Sequence, residues 1–162
     1  MDGKLRNMAG LYLTRGDEML LLYRVGSRVV PPSWCGVGGH FEREELNDAR
    51  ACVLRELTEE IGLTEQNLAG LALRYITLRR RAGEIRQNYY FFATLRDTAE
   101  VPPECDEGTL RWVPLADVLA LDMPFTAHGV LEHYLQAGRH TDTLYAGCAT
   151  PSGVAFTALE EF

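Results

Sequence analysis

The stretch LRELTEEIGL, Leu54 to Leu63, sets Glu56, Glu59 and Glu60 in a segment that otherwise patterns as a helix with one buried side. On a wheel of ~100° per residue counted from Ala49, Val53, Leu57, Leu54 and Ile61 fall at roughly 40° to 140°, a core stripe. Glu59, Glu56 and Glu60 fall at roughly 280°, 340° and 20° on the same wheel. The three carboxylates therefore crowd the edge of the apolar stripe and avoid the fully wet face. Their i, i+3, i+4 spacing makes them neighbours. Crowded like charges push one another's pKa upward.

Two readings meet that pattern. The plainer one is a solvated acidic helix face with i,i+4 pairing. The other is a bound divalent cation that removes the repulsion. Magnesium suits such a site, because it takes hard oxygen ligands and keeps waters for a substrate's phosphates. Manganese is the expected substitute. Arg55, at roughly 240° on the wheel, precedes the cluster and is placed to pin one carboxylate. On the glutamates alone, both readings stand.

Working outward, the helix is expected over Asn47 to Ile61. Asn47 is expected as its N-cap, Asp48 suits its positive end, and Gly62 is a natural C-terminal stop. The stretch GVGGHFEREE places Gly36, Gly38 and Gly39 just ahead of it, where backbone can approach a metal or a phosphate closely. Before that, MAGLYLT and EMLLLYRV read as strands of a hairpin around RGD, and RVVPPSWCGVGGHFE as a loop entering a short strand. After it, LALRYITLRR and EIRQNYYFFATL flank RAG as a second hairpin. VPPECDEG is expected to be a loop and TLRWVPL a strand. LADVLALD and PFTAHGVLEHYLQAG are expected to be helices. Residues 142–160 read as a terminal hairpin turning at PSG. This order predicts an α+β fold, or a mixed sheet between helices, in one domain spanning 1–162.

The 162 residues suffice for one sizeable core, and 46% hydrophobic with 24% charged residues is ordinary for a soluble globular chain. No apolar run approaches the ~20 residues of a membrane helix, and the N-terminus lacks the apolar core of a secretory signal. A cytoplasmic protein without a membrane partner is expected. The net charge of −7 with no basic stripe argues against a nucleic-acid polymer as partner. Cys35, Cys52, Cys105 and Cys148 form no C-x-x-C pair and read as isolated, mostly buried thiols.

The run from Gly39 through Glu45 to RELTEEIGL resembles the Nudix box, G-x5-E-x7-R-E-U-x-E-E-x-G-U, where U is a bulky aliphatic. Gly39, Glu45, Arg55, Glu56, Leu57, Glu59, Glu60, Gly62 and Leu63 fill its fixed positions. One departure stands out: nine residues, Leu46 to Leu54, separate Glu45 from Arg55 in place of seven, and the extra pair is assigned to the loop–helix junction. The resemblance implies an α/β/α sandwich around a mixed sheet, and magnesium-dependent hydrolysis of a nucleoside diphosphate linked to another moiety. It implies metal ligation by Glu56, Glu59 and Glu60, with one glutamate acting as base or orienting water. It also implies that Arg55 orients Glu56 and that the carbonyl of Gly38 adds a ligand. Arg55, Glu56 and Glu59 are thus the candidate catalytic residues.

Within the family, GVGGHFE and CDEGTLRW are similar to the branch that acts on oxidised nucleoside triphosphates and releases a monophosphate and pyrophosphate. That branch places a metal-binding acid five positions before a tryptophan, which is Glu107 ahead of Trp112. Its members acting on 8-oxo-purines carry a polar amide where Cys35 stands, and this chain departs from them there. Trp34, Gly39 and His40 are the candidate substrate contacts. Family members that bind a nucleotide metabolite without cleaving it often lose box carboxylates, whereas this chain keeps them all. A nucleotide sugar or another diphosphate remains an open substrate, and a homodimer an open partner. Tyr89, Tyr90, Phe91 and Phe92 read first as core residues, Arg79 to Arg81 as a solvated hairpin end, and His128 and His133 as helix residues without a ligand.

Overall fold

The computed structural model describes residues 3–26 and 31–162. Its centre is one mixed sheet. The strands, in chain order, are β1 (Leu5–Arg15), β2 (Glu18–Arg24), β3 (Ser33–Cys35), β4 (Val37–His40), β5 (Leu68–Arg81), β6 (Glu84–Leu95), β7 (Glu104–Cys105), β8 (Gly108–Pro114), β9 (Leu144–Thr150) and β10 (Gly153–Leu159). They lie in the order β10-β9-β5-β6-β1-β2-β8-β7, with β3 against β2 and β4 against β1. β1 runs parallel to β6, and β5 parallel to β9; the hairpins are antiparallel. Two α-helices among the described residues, α1 (Ala49–Ile61) and α2 (Phe125–Gln136), cover opposite faces.

Strand alternation divides the core. Leu11, Leu13, Leu20, Leu22 and Phe91 point to one face, where they meet Cys52, Val53, Leu57 and Ile61 of α1. Tyr12, Met19, Leu21, Tyr90 and Phe92 point to the other, against Ala127, Val130 and Leu131 of α2. The expected core stripe on α1 is present, with Leu54 at its half-buried margin.

Three expected elements differ. The N-cap of α1 is Asp48, one residue after Asn47: its carboxylate accepts from the Ala51 N–H at 2.9 Å, and Asn47 belongs to the preceding turn. LADVLALD holds only the 3-10 turn Val118–Ala120, because Leu121 reverts to extended backbone before Pro124. The VPPECDEG loop contains β7, which pairs with β8 across the two-residue turn Asp106–Glu107. The other expected hairpins are present, and the terminal one turns at Pro151 and Ser152. Residues 28–30, read as the start of a loop, lie outside the described residues. No described helix is long and apolar enough to cross a membrane.

The sheet positions the box by bringing β4 beside β1, with Gly38 opposite Gly10 and Gly39 opposite Ala9. Gly38 has φ +153°, and a Cβ there would sit 2.1 Å from the Ala9 carbonyl oxygen, so only glycine lets the strands close. Helix α1 then packs directly over β4. Gly62 ends α1 in the left-handed region at φ 71°, its N–H bonded to the Thr58 carbonyl.

Candidate active site

The three box glutamates are unequal. Glu60 and Glu56 are withdrawn from solvent, with side chains 6% and 13% exposed, whereas Glu59 is 57% exposed. The helical wheel put all three at the edge of the core; Glu59 turns outward along the helix surface instead. Two guanidinium groups organise them.

Arg55 is the first. Its Nε donates to Glu45 Oε1 at 2.7 Å and its Nη2 to Glu45 Oε2 at 3.0 Å, a two-pronged pair. Its Nη1 donates at 2.9 Å to Glu56 Oε1 and at 2.9 Å to Glu59 Oε2, and its Nη2 reaches the His40 carbonyl at 3.1 Å. Arg55 thus holds three carboxylates, where the sequence suggested one. The turn Leu46–Asn47, between the 3-10 turn Arg43–Glu45 and α1, absorbs the extra residues of the box and returns Glu45 to Arg55. Glu45 is buried, and the Arg55 hydrogen bonds hold its carboxyl down at about 2.

Arg24, at the end of β2, is the second. Its Nη2 donates to Glu60 Oε1 at 2.7 Å and to the Gly38 carbonyl at 2.8 Å, and its Nε lies 3.5 Å from Glu107 Oε2. The Gly38 N–H donates to the other Glu60 oxygen at 2.9 Å. Burial pushes the Glu60 carboxyl up to about 7, against the pull of Arg24 and the Gly38 N–H. Glu107 stands on the β7–β8 turn, whose carbonyl accepts from Val25 N–H at 2.9 Å and so ties the turn to the end of β2. Gly38, Glu60 and Glu107 therefore gather around one cation, next to the Arg55 cluster.

Gly39 links the two clusters: a Cβ on it would come within 2.4 Å of Glu56 Oε1. Among the described residues, no three histidine, cysteine, aspartate or glutamate side chains already converge tightly enough to hold a metal ion. The carboxylates are instead parted between the arginines.

The other candidates are spread over both faces of the sheet. His40 has an exposed side chain, and burial of its surroundings together with Arg6 lowers its pKa. Trp34 packs its ring 5.0 Å from Tyr23 in the α2-side layer, and its backbone N–H donates to the Asp122 carbonyl. Tyr90, Phe91 and Phe92 are core residues, and Tyr89 packs against Phe41. Arg79 is not simply solvated: its guanidinium lies over the Phe125 ring at 5.2 Å. His133 shares a hydrogen bond with the Tyr75 hydroxyl at 2.9 Å. Of the four unpaired cysteines only Cys52 is fully buried, and Cys148 is exposed, so the mostly buried reading fails.

Sequence reading missed Arg24 entirely. Arg24 precedes Glu60 by 36 residues, and the pairing of β2 and β4 with β1 and the passage of β4 beneath α1 bring them together.

The NUDIX domain model matches residues 4–134. Three solved structures share the fold. The MutT protein of Bacillus halodurans is 23% identical over 94% of this chain and 97% of that one, with a TM-score of 0.67. An Ap4A hydrolase of C. elegans, solved as a binary complex, is 20% identical over 84% and 99%, with a TM-score of 0.67. The NUDIX domain of Shewanella oneidensis NrtR, complexed with ADP ribose, is 21% identical over 87% and 90%, with a TM-score of 0.60. With the box carboxylates assembled around Arg55 and Arg24, and with the family match spanning most of its length, the chain belongs to the Nudix family, pyrophosphohydrolases that act on nucleoside diphosphate derivatives.

Proposed function

We propose that the chain cleaves the diphosphate linkage of a small nucleotide, with magnesium as cofactor. A nucleoside triphosphate, released as monophosphate and pyrophosphate, is the leading substrate. One observation carries the reading: Glu60, the Gly38 carbonyl and Glu107 already surround a positive group, the Arg24 guanidinium. The groups in contact with it are all hard oxygens, the set that magnesium takes. Six carboxylates face two guanidinium groups across the combined site, so negative charge is in surplus there.

Glu56, Glu59, Glu60 and the Gly38 carbonyl would hold the cation, with Glu107 opposite them. When bound, the ion neutralises diphosphate charge and lowers the pKa of a water. Arg55 fixes the carboxylates of Glu56 and Glu59, so both are oriented before substrate arrives. They are the groups placed to take the proton as water oxygen attacks phosphorus and the anhydride oxygen leaves. Gly39 keeps the floor beside Glu56 free of a side chain. His40 stands exposed next to it for a phosphate contact, and Trp34, beside Tyr23, for stacking on a base.

The test is a panel of free nucleotides, dinucleoside polyphosphates, ADP-ribose and 5′-triphosphorylated RNA, assayed with magnesium and with excess chelator. Released phosphate and pyrophosphate are measured. The expected result is pyrophosphate from free triphosphates, abolished by chelator and restored by magnesium or manganese. Full activity in chelator, or preference for the RNA over every free nucleotide, overturns the reading.

A further inference from the structure

The two edges of the sheet are built differently. At one end, β7 is two residues long and acidic, Glu104–Cys105, so it offers little to a passing strand. At the other end, β10 presents seven residues, GVAFTAL, without a charge, a proline or a register shift against β9. Lysines, prolines and bulges are how sheets normally protect such an edge, and β10 has none of them.

The ladder defines which groups of β10 are free. Pro151 and Ser152 form a two-residue turn, so Thr150 and Gly153 close it as a bonded pair, and alternate pairs bond thereafter. The N–H and C=O groups of Val154, Phe156 and Ala158 therefore point away from β9. The sheet face beside this edge is also open. Leu78, Cys148 and Ala155 form one row across β5, β9 and β10, and Ala146 and Thr157 belong to the next. Leu78 is 43% exposed and Leu159 45%, and Cys148, Ala155 and Thr157 are exposed as well. Among the described residues, helix α1 packs elsewhere, on β4 and β1. An uncharged strip of this size on a chain of net charge −7 is where two such chains can meet without repulsion.

We propose that β10 is a homotypic interface: two copies pair their β10 strands antiparallel about Phe156, extending the sheet across a two-fold axis. Val154 then faces Ala158 of the second copy, and Ala155 faces Thr157, which uses every outward-pointing group. The charges fit this direction alone. Antiparallel pairing carries Glu160 and Glu161 to the level of Ser152 and Pro151 in the other copy. At the same end of the sheet, beyond β9, is the end of β5, where Arg80 and Arg81 are exposed, since Leu78 is level with Cys148. The acidic residues of each copy thus come to the end of the other's sheet that carries these arginines, about three strand spacings from them. Parallel pairing would place the acidic ends together.

The test is sedimentation of the full chain over a range of concentrations, with charge variants at exposed positions. The wild type is expected to reach twice the 18.2 kDa of the chain. Ala155→Glu with Thr157→Glu sets carboxylates opposite carboxylates and is expected to give monomers. Ala155→Lys with Thr157→Lys is expected to do the same. An equimolar mixture of the two double variants is expected to restore the dimer. Ala158→Pro, which removes one outward N–H and leaves the β9 ladder whole, breaks the dimer independently. A wild type that is monomeric throughout, a dimer that survives the double glutamate variant, or a mixture that stays monomeric overturns the proposal.

Discussion

Arg55 Nε lies 2.7 Å from Glu45 Oε1, and the buried carboxylate of Glu45 turns both oxygens to this guanidinium, while its Oε2 also accepts from the Glu42 N–H at 2.8 Å. The same guanidinium grips Glu56 and Glu59. Glu45 therefore anchors the arginine from below, so that the arginine can hold box carboxylates above.

Removing Arg55 leaves the buried Glu45 carboxylate without its cation, whereas removing Glu45 leaves Arg55 its bonds to Glu56 and Glu59. Arg55→Met is expected to cost about 3–5 kcal/mol of folding stability, the usual effect of breaking a buried pair from one side. Combining it with Glu45→Gln is expected to recover part of that loss, because the buried Glu45 charge is then no longer stranded, although Glu56 still lacks its cation. Urea denaturation of the two single variants and the double variant measures this. A loss below about 1 kcal/mol for Arg55→Met would place the pair among ordinary surface salt bridges.

The same pair gives stability an acid limit. Glu45 is held down at about 2, below its ordinary value of 4.5. A carboxyl with a depressed folded value contributes stability that is fully present above its unfolded value. That contribution is lost as pH falls through the folded value. The Glu45 contribution is thus expected to be constant above pH 4.5 and to vanish progressively toward about 2. Urea midpoints of wild type and Glu45→Gln, followed from about pH 6 to 2, are expected to converge at the acid end. A gap between them that stays constant across that range would count against the assignment.

The box helix was legible because its signals are local. The apolar stripe, the acidic edge and Gly62 all lie within one stretch, and the structure keeps each of them. The hairpins were legible from their turn residues. What escaped depends on distant chain segments. Nothing near Arg24 in the sequence marks it as the partner of Glu60, since strand pairing and the packing of α1 over β4 bring them together. Glu45 was left without a role because the two extra residues hide its register; a tight turn at Leu46–Asn47 restores it. The outward turn of Glu59 reflects capture by Arg55, which a helical wheel does not contain.

Glu60 is the most enclosed box carboxylate, with one oxygen on the Gly38 N–H and the other on Arg24. Glu60→Gln keeps its shape and removes its charge. Turnover is expected to fall at least about 100-fold, the scale of losing one preorganised electrostatic group. Circular dichroism and the thermal midpoint check that the fold survives. Unchanged turnover would return the helix to the solvated acidic face.

Glu107 occupies the opposite side of the same centre. The box would supply oxygens to a bound ion from α1 and β4 only, so a further carboxylate would be needed from elsewhere in the fold. The β7–β8 turn is held against β2 by the Val25–Glu107 backbone bond, so its carboxylate is presented from a fixed strand end. It already lies 3.5 Å from Arg24, the cation that Glu60 and Gly38 share. Yet its side chain is half exposed, so it is less constrained than Glu60. Glu107→Ala is therefore expected to raise the magnesium concentration needed for half activity and to lower turnover, with less damage than Glu60→Gln. Magnesium titrations of both variants read the two effects separately. A structure with metal and a non-hydrolysable nucleotide gives the direct test: a Glu107 carboxylate farther than one bridging water from every metal would remove it from the site, with Glu104 and Asp106 next in line.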